Sequence, residues 1–348
     1  MPLPPSTINS TCPDDLASDI IAAMHRRSRL SLIVLSTLVV TLTTSSLMAC
    51  AETGAPPAEP PGAPRRAVFA PPFCPDSARI PRPVVPAEKV SLPILMYHHI
   101  THLAANASAT WRTLTVTPEA FEAQIKWLAD NGYHTIYFSD LVAYFRDGAP
   151  LPEKPIILTF DDGWTDDYRV AYPILRKHCM VGTFFPPVAW VNRSNGSKVM
   201  TWPMIEEMSR GGMEFGSHTI DHHLLNEQNA QQITEELVGS KAALEQHVIQ
   251  PVVALAYPGG GHNPLAVSLV PEAGYGAAVG VKAGVEQARS DLFLLQRIAI
   301  PYSDDLKAFE RRIAAKTGPG AWGLPAPAKR PESLRWPDRR MGLMDRLG

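Results

Sequence analysis

Residues 155–163 read Pro-Ile-Ile-Leu-Thr-Phe-Asp-Asp-Gly. The first six are mostly apolar and rich in β-branched side chains, which is typical of a short buried strand in an α/β fold. Asp161 and Asp162 then lie at the carboxyl end of that strand, and Gly163 permits the tight turn that exposes them. Because successive side chains of a strand point to opposite sides, the two carboxylates are expected to take different roles.

A second polar stretch, Ser-His-Thr-Ile-Asp-His at residues 217–222, follows another predicted short strand. His218 and His222 are separated by a spacing that suits one face of a helical turn. One carboxylate and two imidazoles can bind a zinc-like ion and still leave positions for water and substrate. Either pattern alone is common in ordinary turns and on protein surfaces. Their combination, each after a predicted strand, indicates a metal-dependent hydrolase.

Several segments together resemble the polysaccharide deacetylase family, which is also known by its NodB homology and as carbohydrate esterase family 4. They are Leu95–His99, Thr159–Gly163, His218–His222, Ala256–Gly261 and Phe293–Ile298. The first of them is most similar to the subgroup that acts on exported poly-N-acetylglucosamine. The resemblance implies an α/β fold, the distorted (β/α)7 barrel of that family, in a single catalytic domain. The alternation of predicted strands and helices indicates the same class of fold.

The resemblance also implies roles for individual residues. Asp161 takes the place of the family's catalytic base. Asp162, His218 and His222 take the places of its metal ligands, and zinc is the expected divalent ion. Some members have one more residue between the two histidines, which would make His223 the ligand, but the residues that follow favour His222.

Further residues are candidates for contact with the sugar. Tyr257 and Pro258 belong to the segment that lines the substrate groove in the family. Trp202 and Trp164 are aromatic side chains near the motifs and are candidates for stacking on a sugar ring. Tryptophan in a barrel is more often a packing residue, and that alternative stays open.

Two departures from the family pattern affect the proton donor. Ala256 stands where many members have arginine, and Leu295-Gln296-Arg297 stands where they have Leu-x-His. The histidine of that late motif normally serves as general acid, so another group must protonate the leaving amine. His98 ends the first predicted strand, on the face where the other motifs gather, and is the candidate. The alternative is a packed strand-end histidine, with His99 as the spare proton donor.

These residues predict metal-dependent removal of acetyl groups from an N-acetylated amino-sugar polysaccharide, either poly-N-acetylglucosamine or peptidoglycan. Acetate and a free amine would be the products. Two alternatives stay open: a degenerate protein that binds an envelope glycan without cleaving it, and a metal amidohydrolase that acts on a small cyclic amide. The formal net charge of −2 argues against nucleic acid as a partner. A monomer is expected.

The amino-terminal residues predict export. Basic residues within 24–29 precede a short apolar run, as in a secretory signal. Leu47–Cys50 resembles a bacterial lipoprotein signal with cleavage before Cys50, although a plain signal with a chance cysteine is the alternative. Residues 1–49 are therefore assigned to the signal region, with a translational start near residue 24. The protein is expected in the bacterial cell envelope, anchored by the lipid on Cys50 and facing the periplasm or the exterior.

The remaining regions follow in order. Residues 50–89 are rich in proline and predict a semi-extended tether to a catalytic domain at 90–315. Residues 316–348 form a basic tail that is predicted to be loosely ordered; contact with an anionic polymer or lipid is the alternative. An oxidising envelope permits a bridge between Cys74 and Cys179, and the sequence leaves that pairing open.

Overall fold

The structure, a computed structural model, describes residues 85–193 and 198–314. The signal region, Cys50, nearly all of the proline-rich segment and the basic tail lie outside the described residues. The lipid anchor, the tether and the bridge between Cys74 and Cys179 therefore stay predictions. Within the described ranges, no helix combines the length and apolar character that crossing a bilayer requires.

The described residues alternate between short strands and helices, in agreement with the predicted fold class. The strands are β1 Lys89–Ser91, β2 Ile94–Tyr97, β3 His99–Ile100, β4 Thr115–Val116, β5 His134–Thr135, β6 Pro155–Asp161, β7 Thr183–Phe185, β8 Glu214–Phe215, β9 Ala254–Ala256, β10 Ala277–Ala283, β11 Glu286–Ala288 and β12 Leu295–Ala299. The α-helices are α1 Ala109–Thr113, α2 Pro118–Asp130, α3 Phe138–Asp147, α4 Tyr172–Lys177, α5 Trp202–Arg210, α6 Ala230–Glu245, α7 Pro264–Glu272 and α8 Leu306–Ala314. A π-helical turn at Asp167–Ala171 leads directly into α4.

Seven parallel strands form the centre of the fold. Their order is β8-β7-β6-β2-β12-β10-β9, and each neighbouring pair is parallel. A parallel bridge between Ser217 and Leu255 joins the two ends, so the sheet closes almost completely on itself. The closure requires Gly216, because a Cβ there would lie 2.2 Å from the Phe185 ring and 2.8 Å from the carbonyl oxygen of Ala254. The predicted (β/α)7 barrel is confirmed.

The side chains of β6 alternate between two parts of the core. Ile156, Leu158 and Phe160 pack with apolar residues of the surrounding helices α2, α4 and α5. Ile157 packs with residues of β7, β9, β10 and β12 in the barrel interior. Since the side chains of a strand alternate, Asp161 lies on the same interior side as Ile157. A carboxylate at that position is buried at the carboxyl end of the barrel, where it requires a partner.

The starts of helices α2 and α3 are each fixed by a side chain. Helix α2 begins after Thr117, whose side chain accepts the backbone N–H of Ala120, as its N-cap pattern predicts. Strand β5 ends at Thr135, and helix α3 begins at Phe138. The carboxylate of Glu214 accepts the Phe138 N–H over 3.0 Å and favours the start of the helix there.

Candidate active site

Asp161 is the last residue of β6, and only 2% of its surface is exposed. Arg297 of β12 binds its carboxylate with two parallel hydrogen bonds, in which Nη1 donates to Oδ1 over 2.8 Å and Nη2 donates to Oδ2 over 2.7 Å. The guanidinium also donates through Nε to the carbonyl oxygen of Gly280 over 2.8 Å and through Nη1 to Thr159 Oγ1 over 3.2 Å. These bonds fix both partners, and the two-bond geometry is the strongest that arginine makes with a carboxylate.

The protonation state of Asp161 follows from this environment. Burial by itself would raise the pKa of the carboxyl group. The charge of Arg297, with smaller contributions from His218 and His98, outweighs burial and holds the pKa below its ordinary value. Asp161 is therefore an anion with little access to solvent, and it can accept a proton from a reactant.

Asp162 follows in a different backbone conformation. Its φ is 72°, in the left-handed region that few residues other than glycine adopt. Gly163 continues the turn with a φ of 67°, and a Cβ at that position would lie 2.6 Å from Pro186 Cβ. The turn places Asp162 Oδ1 3.6 Å from His218 Nε2 and 3.3 Å from His222 Nε2. Adjacent carboxylates thus have separate sets of partners.

The two histidines do not lie on a helical turn, so that prediction is wrong. Thr219 and His222 have positive φ values of 67° and 69°. Side chains bind the local backbone instead: the Thr219 N–H donates to Ser217 Oγ over 3.0 Å, and the His222 N–H donates to Thr219 Oγ1 over 3.2 Å. Such bonds compete with helix formation. The rings of His218 and His222 still meet, with their centroids 4.7 Å apart.

The orientation of each metal-binding candidate is set by a further contact. His218 Nδ1 lies 2.7 Å from the carbonyl oxygen of Ala256, and since that oxygen can only accept, Nδ1 carries the proton and Nε2 is left as a ligand atom. Trp164 Nε1 donates to Asp162 Oδ2 over 3.2 Å, which leaves Oδ1 facing the histidines. Asp162, His218 and His222 form a group whose donor atoms lie close enough to hold one ion.

This donor set fits a zinc-like ion. Ligand atoms about 2.0–2.1 Å from a tetrahedral zinc are separated from one another by roughly 3.3 Å. The distances from Asp162 Oδ1 to the two imidazole nitrogens are 3.3 Å and 3.6 Å. Two imidazoles and one carboxylate also form a ligand set known from catalytic zinc sites.

A second group, Asp221, His223 and Glu236, lies on the other side of the same loop. The His223 side chain is 70% exposed and pairs with Asp221 over 2.8 Å. Glu236 already accepts the backbone N–H of Ile220 over 2.6 Å, which ties the loop of the two ligand histidines to helix α6. Glu236 therefore supports the loop, and the structure brings His222 rather than His223 to Asp162.

His98 lies next to Asp161 and within electrostatic reach of Asp162 and His218. Its Nε2 is 3.9 Å from Asp161 Oδ2. Burial lowers the pKa of His98 below its ordinary value even though Asp161 and Asp162 act in the opposite direction, so the imidazole is uncharged at neutral pH. His99 is placed differently, since its ring is stacked between Trp111 and Trp164.

Comparisons with known proteins agree with this geometry. A sequence model of the polysaccharide deacetylase family matches residues 148–278. The chain is 33% identical over 210 residues to the Bacillus subtilis protein YxkH, a proposed polysaccharide deacetylase, and the match covers 60% of this chain and 71% of YxkH. The chain belongs to the polysaccharide deacetylase family.

Two more relatives define the likeness further. The poly-β-1,6-N-acetyl-D-glucosamine N-deacetylase of Escherichia coli strain K12 is 25% identical over 252 residues. That match covers 61% of this chain but only 37% of the length of the E. coli enzyme. Among solved structures, the Streptococcus pyogenes deacetylase PplD, in complex with acetate, has a TM-score of 0.59 and 28% identity, with 67% of this chain and 99% of PplD covered.

Arg297 is the functional residue that the sequence reasoning missed. Many polysaccharide deacetylases have arginine in the third motif, where this chain has Ala256, and here a positive charge reaches Asp161 from β12 instead. The available signal was an arginine among apolar residues of a predicted buried strand. Only 1% of its side chain is exposed, and a buried charge of this kind requires an opposite charge.

The three other predicted substrate-contact residues, Tyr257, Pro258 and Trp202, make contacts within the protein, and their role toward a sugar stays a prediction. The Tyr257 side chain is fully buried, and its hydroxyl donates to the carbonyl oxygen of Phe293 over 3.0 Å. Pro258 is buried in the short 3-10 turn after β9. The Trp202 ring stacks on His247 at 4.0 Å, so its described contacts are those of a packing residue. Of the predicted aromatic contacts, only Trp164 bonds directly to the carboxylate pair.

Proposed function

We propose that this chain is a metal-dependent deacetylase of N-acetylated amino-sugar polysaccharides. One observation carries the proposal: the adjacent carboxylates have separate partners, with Asp161 held as an anion by Arg297 and Asp162 facing two imidazoles. Membership in the family supports the reaction. The activity of the E. coli relative, a poly-β-1,6-N-acetyl-D-glucosamine N-deacetylase, supports poly-N-acetylglucosamine as the first candidate substrate, and peptidoglycan is the second.

Asp162, His218 and His222 would hold the divalent ion, and zinc is the proposed metal because imidazole and carboxylate ligands suit it. When bound, such an ion lowers the pKa of a water molecule and polarises the carbonyl group of the acetamide. The chain fixes its own ligands in advance. Ala256 orients His218, and Trp164 holds the second oxygen of the Asp162 carboxylate.

Asp161 is the proposed base. Its carboxylate accepts a proton as the oxygen of water bonds to the acetamide carbon, and Arg297 keeps the carboxylate ionised before that step. The carbon–nitrogen bond then breaks, and the sugar nitrogen takes up a proton. His98 Nε2 lies 3.9 Å from Asp161 Oδ2 and is the proposed donor of that proton, after it has taken up the proton that Asp161 accepted from water; protonated Asp161 itself is the other candidate. The oxygen of water ends in acetate and its proton on the amine.

We also propose that the enzyme acts in the bacterial cell envelope. The support lies in the sequence: a basic start, an apolar run and the lipoprotein-like segment that ends at Cys50. A proline-rich tether would let an anchored enzyme reach a polymer. Labelling of Cys50 by a radioactive fatty acid in cells, with Cys50→Ser as the control, tests the anchor.

The test of function is acetate release by the full chain, loaded with zinc and then treated with a chelator. Substrates are oligomers of β-1,6- and β-1,4-linked N-acetylglucosamine and purified peptidoglycan. Chelator-sensitive release from one of them is expected. A zinc-bound protein that is inactive on every glycan would contradict the proposal and favour a glycan-binding role or small cyclic amides as substrates.

A further inference from the structure

A row of rings connects the candidate metal ligand Asp162 to the protein surface. Trp164 donates its indole N–H to Asp162 Oδ2 over 3.2 Å. The ring of His99 packs on Trp164 with centroids 4.3 Å apart, and the ring of Trp111 packs on His99 at 4.5 Å. The ring planes of these two pairs are tilted by 35° and 32° to each other. The outermost ring therefore has a fixed position relative to the site.

Trp111 is 46% exposed, and no other phenylalanine, tyrosine or tryptophan of the described residues is as open to solvent. A single exposed apolar side chain is ordinary in a soluble protein. Trp111 differs from that case because one part of its ring rests on His99, which is itself only 8% exposed. The tryptophan side chain offers a large flat surface, and it loses little conformational freedom when a ligand binds.

The backbone around Trp111 is also held in place. The Trp111 N–H donates to Ser108 Oγ over 3.3 Å at the start of α1. The neighbouring Arg112 donates from Nη2 to the carbonyl oxygen of Ala105 over 2.8 Å, and its own carbonyl oxygen accepts the Tyr302 N–H over 2.8 Å. Helix α1 is short, but these bonds hold its first turn and connect it to the backbone at Ala105 and Tyr302. A surface that is ordered before binding has less entropy to lose when it binds.

The chemistry of an amino-sugar polymer matches such a surface. A pyranose ring in a glycan has a face of C–H groups, which packs on the face of an aromatic ring, while its hydroxyl groups stay in water. The polymer that would reach the carboxylate pair continues beyond the reacting unit. One ring, that of His99, separates Trp111 from Trp164, which bonds to Asp162, with centroid distances of 4.5 Å and 4.3 Å, so Trp111 is placed beside the reacting position and not in it.

We infer that Trp111 forms a subsite that binds a non-reacting sugar unit of the glycan chain. This inference rests on the proposed function and adds a residue outside the carboxylate pair and the metal-binding candidates that binds the polymer. The subsite contributes to binding and takes no part in proton transfer. Its removal raises KM for oligomers and leaves the chemical step unchanged.

The test compares variants of the full, zinc-loaded chain on N-acetylglucosamine oligomers from the monosaccharide to the hexamer. Trp111→Ala is expected to lower kcat/KM on the tetramer and longer oligomers by about five- to tenfold, mainly through KM. On the monosaccharide its effect is expected to stay within about twofold. Trp111→Tyr keeps an aromatic face and should recover most of the loss. Thr110→Ala, an exposed neighbour on the same helix, is the matched control.

The outcomes separate this inference from the proposed function. Suppose that the wild type is active. If Trp111→Ala then keeps full activity on long oligomers, or loses the same factor on oligomers of every length, the subsite is overturned and the proposed deacetylase activity stands. A wild type that releases no acetate overturns the proposed function, and calorimetric titration with the hexamer then decides the subsite. An affinity that is about five- to tenfold weaker in Trp111→Ala than in the wild type supports the subsite. Equal affinity in the two proteins, or no binding by the wild type, overturns it.

Discussion

The two halves of the candidate site are built differently, although Asp161 and Asp162 are neighbours in the chain. The base side consists of Asp161 and Arg297, both on regular strands and both almost fully buried. The ligand side consists of Asp162, His218 and His222, in loops where both Asp162 and His222 have positive φ values. On the base side the protein supplies its own cation. On the ligand side the three side chains turn their donor atoms toward a common point.

The difference shows how one strand end can hold two carboxylates with opposite duties. A carboxylate that is neutralised by a fixed guanidinium stays ionised and has no need of a metal. A carboxylate in a strained turn, with two imidazoles in front of it, is placed to bind one. Backbone strain of this kind persists where the surrounding structure imposes it, and it is frequent at functional sites. The following variants test whether the base side and the ligand side act separately.

The largest effect is expected on the ligand side. Asp162→Ala and His218→Ala should each lose bound zinc and acetate release together, because two remaining protein ligands no longer make a catalytic zinc site. Zinc per chain, measured by mass spectrometry after gel filtration, and acetate release are the two readouts. His223→Ala is the matched control and should keep both. Full zinc occupancy in His218→Ala would refute the assignment of this ligand.

The base side should respond in the opposite manner. Asp161→Asn is expected to keep zinc and to lose about 10²- to 10⁴-fold in kcat, because the amide cannot accept the proton of water. The same two readouts apply, with the melting temperature of the variant as a control for folding. Loss of zinc together with turnover would show that the base side and the ligand side are not separate.

The pair on the base side also makes a prediction about stability. Arg297→Met leaves the Asp161 carboxylate buried without its cation and should lower the free energy of unfolding by about 3–5 kcal/mol. The double variant Asp161→Asn with Arg297→Met removes both charges and should recover most of that loss. Urea unfolding of the wild type and of these two variants measures both values. If the double variant is as unstable as Arg297→Met alone, the loss comes from packing and not from an unpaired charge.

Features encoded in local sequence were predictable, and those that depend on distant contacts were not. The strand at 155–161 and the start of helix α2 follow from short patterns of apolar residues and caps, and the structure shows both. The partner of Asp161 comes from a strand far along the chain, and no local pattern specifies that Arg297 faces it. The conformation of the loop that carries the two histidines was also not predictable from their spacing. The side chains of Ser217 and Thr219 accept backbone N–H groups of this loop, so its hydrogen bonds are not those of a helix.

Sugar-contact residues were the least predictable part of the site. An aromatic residue near a motif has the same sequence signature whether it packs or binds. Trp202 packs on His247, whereas Trp111, which no motif contains, lies exposed at the end of the ring row. The choice depends on which side of each ring the neighbouring elements cover, and that is a property of the tertiary structure.

The smallest predicted effect concerns a carboxylate that belongs to neither side. Asp167 is fully buried, and within the described part of the chain neither of its carboxylate oxygens makes a well-formed hydrogen bond, although the backbone N–H of Trp164 weakly favours its charged form. Burial, and after it the charges of Asp166, Asp162 and Asp161, raise the pKa of Asp167 well above its ordinary value. Asp161 has Arg297 to offset burial, whereas no cation among residues 85–193 and 198–314 does the same for Asp167. The acid is therefore protonated in the folded protein over a pH range in which the unfolded chain ionises it.

The sign of the pH dependence follows from that difference. A raised pKa in the folded state means that stability is fully present below the unfolded pKa of about 4 and is lost as pH rises from there toward the folded pKa. Asp167→Asn is neutral in both states and removes this loss, so its free energy of unfolding should exceed that of the wild type by about 0.5–2 kcal/mol near pH 8 and approach it near pH 4. Urea unfolding across that range measures the gain, with the exposed Asp147→Asn as control. Parallel curves for Asp167→Asn and the wild type would show that Asp167 is ionised in the folded protein and has a partner after all, which would bring it into the same class as Asp161.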